Sequence, residues 1–372
     1  MSVGRLILGE ELLATCAIDG EHDQVKRLLK AGVRVNYVDQ LGRSGLHTAS
    51  DRGRPLTVLA LLGAGAEVDQ DDRIGETPLM RACVQGHEAV VKMLLAHKAN
   101  VNARTRNGRS VLMCAAYGGD SSICALVLKA GADLDAHCDN GMRALMYAAE
   151  QGRLPLVQLF LDHGADVGAL SSGGSSALTF ACINGHVQAA SLLLLGVGAP
   201  LLNTQDSLGM TPLMHASNLG RDAVVQLLTN CSATNLNLRA NNRRSALLLA
   251  CRKDHFTSAS ILVLAGCAFE RAALEEQYGH TRHLQPEVVR QRVGELVRLR
   301  GDHLWSRRRD FLLFVFGSKF MPLLNVSAAL LGLSLSDPLP PIDRSTPEAN
   351  RQYLLMAIFG TQELVRSIAA FL

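Results

Sequence analysis

The sequence predicts an all-α solenoid in which short antiparallel helices stack in pairs, joined by β-hairpin-like turns and closed by a helical C-terminal cap. Three observations predict this fold. A sequence pattern recurs about every 33 residues over the first two thirds of the chain. Apolar residues make up 48% of the 372 residues, which is enough to build a core. Aromatic residues make up only 4%, which favours stacked helices over an aromatic-rich β-sandwich.

The repeated unit is clearest from Gly75 to Ala96, which reads GETPLMRACVQGHEAVVKMLLA. We call the residue at Thr77 and its equivalents the capping position. Successive capping positions are separated by 33, 33, 33, 33, 33, 35 and 34 residues. This constancy predicts an array of about eight repeats over residues 5–268. The other capping positions are Glu11, Ser44, Ser110, Arg143, Ser176, Thr211 and Ser245.

Each repeat carries the signals of two helices. Thr77 is a good N-cap, and Pro78 occupies the first helical position, where its missing N–H is not needed. The first helix is predicted to end near Gly86, because glycine readily adopts positive φ. The apolar residues within Val90–Leu95 form a stripe on the second helix. One such pair cannot bury its own apolar face, so neighbouring repeats must stack.

Three places depart from the repeat. The first unit lacks the Ser/Thr-Pro pair at Glu11 and is predicted to be a cap. In the last unit Arg243 replaces the turn glycine, and Asp254 replaces the glycine after the first helix. The sixth unit has extra residues between Gly196 and Leu202, where we expect a bulged loop.

The unit resembles the ankyrin repeat, whose signature is T-P-L-H-x-A; the closest matches are Ser44–Ala49, Thr77–Ala82 and Thr211–Ala216. The resemblance extends over about 70% of the chain. It implies a non-enzymatic protein–protein interaction module, acting as a scaffold or adaptor. It also implies that partners bind on one concave face, formed by the tips of the turns and the exposed ends of the first helices.

Carried over by position, the resemblance gives a set of candidate binding residues in the middle of the array. Ile74 and Tyr117 stand out, because apolar residues at these positions have no core to fill. Arginine and aromatic residues are also enriched at binding hot spots. The alternative interpretation is that the varied positions are merely exposed to solvent. The candidate protein-binding residues are Arg73, Ile74, Glu76, Arg106, Asn107, Arg109, Tyr117, Asp139, Met142, Glu150 and Gln151.

The cysteines do not indicate a metal or redox site. Cys83, Cys182 and Cys251 occupy a position filled by alanine in other repeats, which predicts small buried side chains. Cys138 falls at the start of a turn, and we expect it to be exposed. The chain has no C-x-x-C pair and no zinc-finger spacing, so no metal is expected.

The histidines and the known catalytic motifs give no enzymatic signal either. His87, His186 and His255 share one repeat position, to which the resemblance assigns a hydrogen bond that holds the loop. No nucleophile elbow, Walker loop, HExxH or dinucleotide fingerprint occurs. We therefore expect no catalytic residues and no cofactor.

Charge and composition limit the partners. A net charge of +3 argues against a dedicated nucleic-acid-binding protein. Nine cysteines, an odd number, suggest reduced thiols, and Met1–Glu11 lacks the features of a secretory leader. We expect a monomer in the cytoplasm or nucleus that binds protein partners of unknown identity and no membrane.

Residues 269–372 lie beyond the periodic region and are predicted to form a helical domain. Pro286–Gly301 has helical apolar spacing, and the arginines of Arg290–Arg309 are interpreted as a solvated face. Ser345–Glu348 is a capping box that begins an amphipathic helix. We expect that helix to cover the last repeat, since terminal repeats need a polar outer face.

Two alternatives concern the same region. Phe311–Leu335 is apolar and preceded by arginines, so a membrane-tethered ankyrin protein anchored there is the alternative function. Lys319 and Pro322 in its middle argue instead for a buried helical hairpin. The second alternative is a catalytic centre in the C-terminal part, formed by the cluster of His280, His283 and Glu287.

Overall fold

The computed structural model describes residues 12, 15, 22–197, 199–268 and 291–300 of the chain. Within them the secondary structure is helical, apart from turns and two isolated β-bridges. This confirms the predicted all-α fold class. The segment of the alternative membrane anchor, the expected C-terminal helix and the histidine cluster lie outside the described residues.

The helices form two layers, because each helix packs on the corresponding helix of the next repeat as well as on its partner. The first helices of the repeats make one layer: α2 (Gly45–Asp51), α4 (Pro78–Val84), α6 (Val111–Gly118), α8 (Ala144–Glu150), α10 (Ala177–Asn184), α12 (Pro212–Asn218) and α14 (Ala246–Arg252). The second helices make the other: α1 (His22–Lys30), α3 (Pro55–Gly63), α5 (Glu88–Ala96), α7 (Ser121–Lys129), α9 (Leu154–Asp162), α11 (Val187–Val197), α13 (Asp222–Thr229) and α15 (Phe256–Leu264).

The capping positions start the first helices as predicted. The Thr77 hydroxyl accepts the backbone N–H of Met80 at 3.4 Å, and the Ser110 hydroxyl accepts that of Met113 at 3.3 Å. Each bond satisfies one of the N–H groups that a helix start leaves unpaired. Helix α6 ends at Gly119, whose φ of 86° is left-handed and therefore suits glycine.

The core lies between the two layers and repeats from unit to unit. Burying a leucine side chain contributes about 1.5–3 kcal/mol, so one buried position repeated along the array contributes strongly to stability. The leucine two residues after the capping position is at most 3% exposed in each of the seven repeats in which the structure describes it: Leu46, Leu79, Leu112, Leu145, Leu178, Leu213 and Leu247.

The cysteines are part of this core. Cys83, Cys182 and Cys251 are fully buried, which confirms that they are small fillers. The prediction that Cys138 is exposed is wrong, because its side chain is only 5% exposed. It turns inward and interacts with the hydroxyl of Tyr147.

The sixth repeat accommodates its extra residues differently from the expected bulged loop. Helix α11 is lengthened to 11 residues, and a 3-10 helix at Ala199–Asn203 follows it. Leu201 and Leu202 in that turn are 7% and 4% exposed. These apolar side chains pack into the core, which explains why the insertion is ordered as a helical turn.

The last repeat is covered by residues 291–300, which are helical. Val293 and Leu296 are fully buried there. Arg292 binds the carboxylate of Asp254 and lies 5.6 Å from the ring centroid of Phe256. Asp254 has a φ of 62°, so the aspartate takes the conformation of the glycine that it replaces and adds a contact to the covering helix.

The described residues all fall within one compact unit, Met1–Arg300. The predicted domain boundary at residue 268 stays a prediction. In the described part of the chain, no helix is both long enough and apolar enough to cross a membrane. Among the same residues, no group of His, Cys, Asp and Glu side chains could hold a metal ion.

Candidate protein-binding surface

Backbone hydrogen bonds join the tips of the turns into a continuous row. The N–H of Arg73 donates to the carbonyl of Leu41 at 2.9 Å, and the N–H of Arg106 donates to that of Ile74 at 3.0 Å. Each turn is therefore fixed to its neighbour, and the tip side chains form one surface. Further along, the same bond links Asp139 to Asn107, Ser172 to Asn140, Ser207 to Gly173 and Asn241 to Leu208.

In five repeats a polar side chain at one position also closes the turn from within, whereas the fifth and last repeats carry Cys138 and Ala240 there. One carboxylate oxygen of Asp72 accepts the N–H groups of Ile74 and Glu76 at 3.0 and 2.9 Å. Gly75 has a φ of 81°, and a Cβ there would lie 2.7 Å from the backbone nitrogen of Arg106. Only glycine allows the next turn to approach this closely.

The structure places the candidate residues along this surface at different depths. Glu76 is buried, and its carboxylate lies 2.8 Å from Nε of Arg81, so it faces helix α4 rather than solvent. The exposed candidates are Arg73, Ile74, Arg106, Asn107, Tyr117 and Asp139. The half-buried candidates are Arg109, Met142, Glu150 and Gln151.

Histidines after the first helices brace neighbouring repeats. Nε2 of His186 bonds to the carbonyl of Glu150 at 3.0 Å, and Nε2 of His87 bonds to that of Asp51 at 3.0 Å. Each bond reaches the preceding repeat, so it holds two repeats together as well as the loop. A Cβ at Gly152 would lie 2.4 Å from the His186 ring, which explains the glycine there.

Arg109, Tyr117 and Tyr147 form what we call the arginine–tyrosine cluster. The two rings meet edge to face, with centroids 6.5 Å apart at 88°. The guanidinium carbon of Arg109 lies 5.5 Å from the Tyr117 ring centroid and 5.9 Å from that of Tyr147. Tyr117 nonetheless remains 51% exposed. The cluster combines a cation with an accessible aromatic face.

Burial raises the pKa of Tyr147 to about 12. Its phenol therefore stays neutral at physiological pH, and its ring acts on Arg109 through cation–π attraction. The backbone carbonyl of Tyr117 accepts a hydrogen bond from Nε2 of Gln151 at 3.1 Å. Gln151 thus fixes the end of helix α6 against helix α8.

Sequence reasoning missed Tyr147 as a surface residue. Its position lies four residues after the capping position, at the variable place in the T-P-L-H-x-A signature. Side chains at this position range from the buried Cys114 and Leu249 to the half-buried Arg81 and Tyr147, so the pattern of a single repeat gave no signal for Tyr147. The residues at this position are Thr48, Arg81, Cys114, Tyr147, Phe180, His215 and Leu249.

The second and third repeats present a charged surface that is neutralised within the chain. Arg43 lies 2.8 Å from the Asp39 carboxylate, and Arg81 lies 3.1 Å from that of Asp72. These ion pairs occupy the arginines that would otherwise attract an anionic ligand. A small recess of about 170 Å³ lies here, lined by Arg43, His47, Thr48, Asp51, Arg52 and Arg81.

A family model described as ankyrin repeats (3 copies) matches residues 12–105, 54–138, 112–200 and 178–273. Because these segments together span well over half of the chain, the protein belongs to the ankyrin-repeat family. The chain has no match among curated proteins. Ankyrin repeats are generally protein–protein interaction modules, and the family is typically non-enzymatic.

Proposed function

We propose that this chain is a protein-binding scaffold or adaptor that holds partner proteins against its concave face and turn tips. The mechanism is stoichiometric recognition without catalysis or a cofactor. The stacked repeats fix the positions of the surface side chains before a partner arrives. Less conformational entropy is then lost on association.

The observation that carries this proposal is the arginine–tyrosine cluster. Tyr117 is held by Arg109 and Tyr147 yet keeps half of its surface exposed. Ile74, in the neighbouring turn, is 56% exposed. Exposed aromatic, aliphatic and arginine side chains on a rigid support are typical of binding hot spots.

The rest of the proposal concerns the setting in which the chain acts. We propose that it works as a monomer in the cytoplasm or nucleus and binds proteins rather than nucleic acid. The low net charge of +3 supports the preference for protein partners.

A quantitative pull-down with the full chain tests the proposal. The Tyr117→Ala/Arg106→Ala variant removes an exposed ring and an exposed cation from the concave face. Leu59→Ser on helix α3 is the matched control, because Leu59 is 49% exposed on the other helix layer. We expect partners retained by the wild-type chain to be lost by the double variant and kept by Leu59→Ser.

The proposal is contradicted if every retained protein binds the double variant as well as the wild type. Loss of partners only in Leu59→Ser would place binding on the outer helices instead. Circular dichroism of both variants would show that the repeats remain folded.

A further inference from the structure

We propose that the segment of the partner protein that binds the arginine–tyrosine cluster is acidic, and that a carboxylate of that segment binds Arg109. This inference depends on the proposed function and specifies the chemistry of the partner. It is drawn from the different environments of two arginines that occupy the same backbone position in two repeats.

Arg43 and Arg109 occupy the same position, one residue before the capping position of the second and fourth repeats. The residue four positions earlier closes the turn in both. In the second repeat it is Asp39, whose carboxylate binds Nη2 of Arg43 at 2.8 Å. In the fourth repeat it is Thr105, whose hydroxyl accepts the N–H of Arg109 at 3.0 Å but carries no charge. Arg109 therefore lacks the internal counter-ion that Arg43 has.

The guanidinium of Arg109 is held in place, but its hydrogen-bonding capacity is not satisfied. Its Nε is buried and has no hydrogen-bond acceptor among the residues that the structure describes. The rings of Tyr117 and Tyr147 hold the group in place through cation–π contacts but accept no hydrogen bond from its N–H groups. A partner carboxylate would supply acceptors to a donor group that is already oriented.

The nearby carboxylates are engaged or turned elsewhere. Glu76 is bound to Arg81. The Asp139 carboxylate lies over Gly108, and no ion pair joins it to Arg109 in the described part of the chain. Arg73 and Arg106 are exposed at the adjoining tips. Arg73, Arg106 and Arg109 thus lie together without an ion pair in the described part of the chain and outnumber the exposed Asp139 beside them, which favours an acidic segment.

A peptide fits this surface better than a nucleic acid. Arg109 is half-buried between two rings, so it is suited to one planar carboxylate rather than to a line of phosphates. Ile74 and Tyr117 beside it are exposed and apolar, and they would contact an aliphatic or aromatic side chain of the same segment.

The test uses the full chain and a displayed library of short random peptides. Enriched peptides are expected to contain Asp or Glu beside an apolar residue. Their dissociation constants are then measured by fluorescence anisotropy on three variants. Thr105→Asp supplies an internal counter-ion like Asp39, while Thr105→Asn has the same shape without the charge. Arg109→Met removes the cation and keeps an unbranched side chain over the rings.

We expect Thr105→Asp and Arg109→Met to raise the dissociation constant by about tenfold or more, and Thr105→Asn to leave it nearly unchanged. Replacing the peptide carboxylates with amides should weaken binding to the wild type but not to Arg109→Met. Melting curves control for folding, and Arg109→Met decides the question if Thr105→Asp does not fold.

The inference is overturned if enriched peptides lack acidic residues, if no peptide is enriched, or if Thr105→Asp and Thr105→Asn bind equally well. Tighter binding of a single-stranded oligonucleotide than of any peptide would also overturn it. If Tyr117→Ala abolishes peptide binding but Thr105→Asp does not change it, the inference of an acidic partner is wrong. The proposed function is then still supported.

Discussion

The turns of the second and fourth repeats place an arginine at the same backbone position, yet the environments of the two side chains differ. Arg43 is neutralised by Asp39, while Arg109 lies between two tyrosine rings with Thr105 beneath it. The buried leucines below the two turns, Leu46 and Leu112, are equivalent and equally buried. Packing thus constrains one side of each repeat and leaves the other side free to differ in chemistry.

This comparison separates stability from recognition. The buried positions and the turn hydrogen bonds recur along the array, so they determine the fold. The charges and rings on the turn tips do not recur, and the proposed function assigns the choice of partner to them. The predictions below test whether the two sets of residues act separately.

The largest effect is expected in the core. Leu46→Ala and Leu112→Ala each remove a fully buried side chain and leave a cavity, so each should lower the free energy of unfolding by about 2–5 kcal/mol. Urea denaturation followed by circular dichroism measures both. Similar losses would support an equivalent core in the two repeats. A loss of stability in only one variant would show that the two cores are not equivalent.

Tyr117→Ala should act mainly on binding. Removing this anchor should weaken partner binding by about 2 kcal/mol or more. Its edge-to-face and cation–π contacts are half exposed, so the free energy of unfolding should fall by only about 1 kcal/mol. Isothermal titration calorimetry and urea denaturation separate the two effects. A large loss of stability with unchanged affinity would show that the ring is structural.

Ser110→Ala tests the helix start in the fourth repeat. The variant loses the bond from the serine hydroxyl to the N–H of Met113, so it should lower stability by about 1 kcal/mol. Ser110→Asp, which retains a capping oxygen, should lose less. Equal losses in both variants would show that the cap is not the source of the effect.

The smallest effect concerns pH and distinguishes the same two repeats. Burial lowers the pKa of His47, and its Nδ1 accepts the N–H of Ser44 at 3.1 Å while Nε2 bonds to the carbonyl of Glu76. Protonation of Nδ1 would abolish the first of these bonds. The fourth repeat has Met113 at this position and carries no such group.

The unfolded chain therefore binds a proton at His47 more readily than the folded chain does. This contribution to stability is complete above pH of about 6.5 and falls as the pH decreases below that value. His47→Met should reduce the drop in melting temperature between neutral and mildly acidic pH. An undiminished drop in the variant would assign the pH dependence to other groups.

The sequence predicted the stacked helices because buried positions recur at a fixed spacing and their side chains are interchangeable. It did not predict the direction in which individual turn side chains point, or which side chains meet across neighbouring repeats. Cys138 turns toward Tyr147, and Glu76 turns toward Arg81, although both belong to turn segments. Tyr147 joins Arg109 and Tyr117 across neighbouring repeats. The contacts of Tyr147 with Arg109 and Tyr117 join two repeats, so no spacing within one repeat contains them. Those of Cys138 and Glu76 lie within one repeat but join positions whose residue type varies along the array.

The sixth and last repeats illustrate the same limit. The extra residues between Gly196 and Leu202 are predicted to form a bulged loop, but Leu201 and Leu202 pack into the core. Asp254 departs from the repeat because it binds Arg292 of the covering segment. The departures were visible in the sequence, while their physical reasons required the neighbouring elements.

Photocrosslinking from the arginine–tyrosine cluster is the most direct test of the central claim. Two variants are compared. One carries a photoreactive benzoylphenylalanine in place of Tyr117, and the other carries it in place of Leu59, on the layer of second helices. The account predicts crosslinks to a partner protein from position 117 and few from position 59. Crosslinks to partners only from position 59, or from position 117 only to residues 301–372 of the same chain, would contradict it.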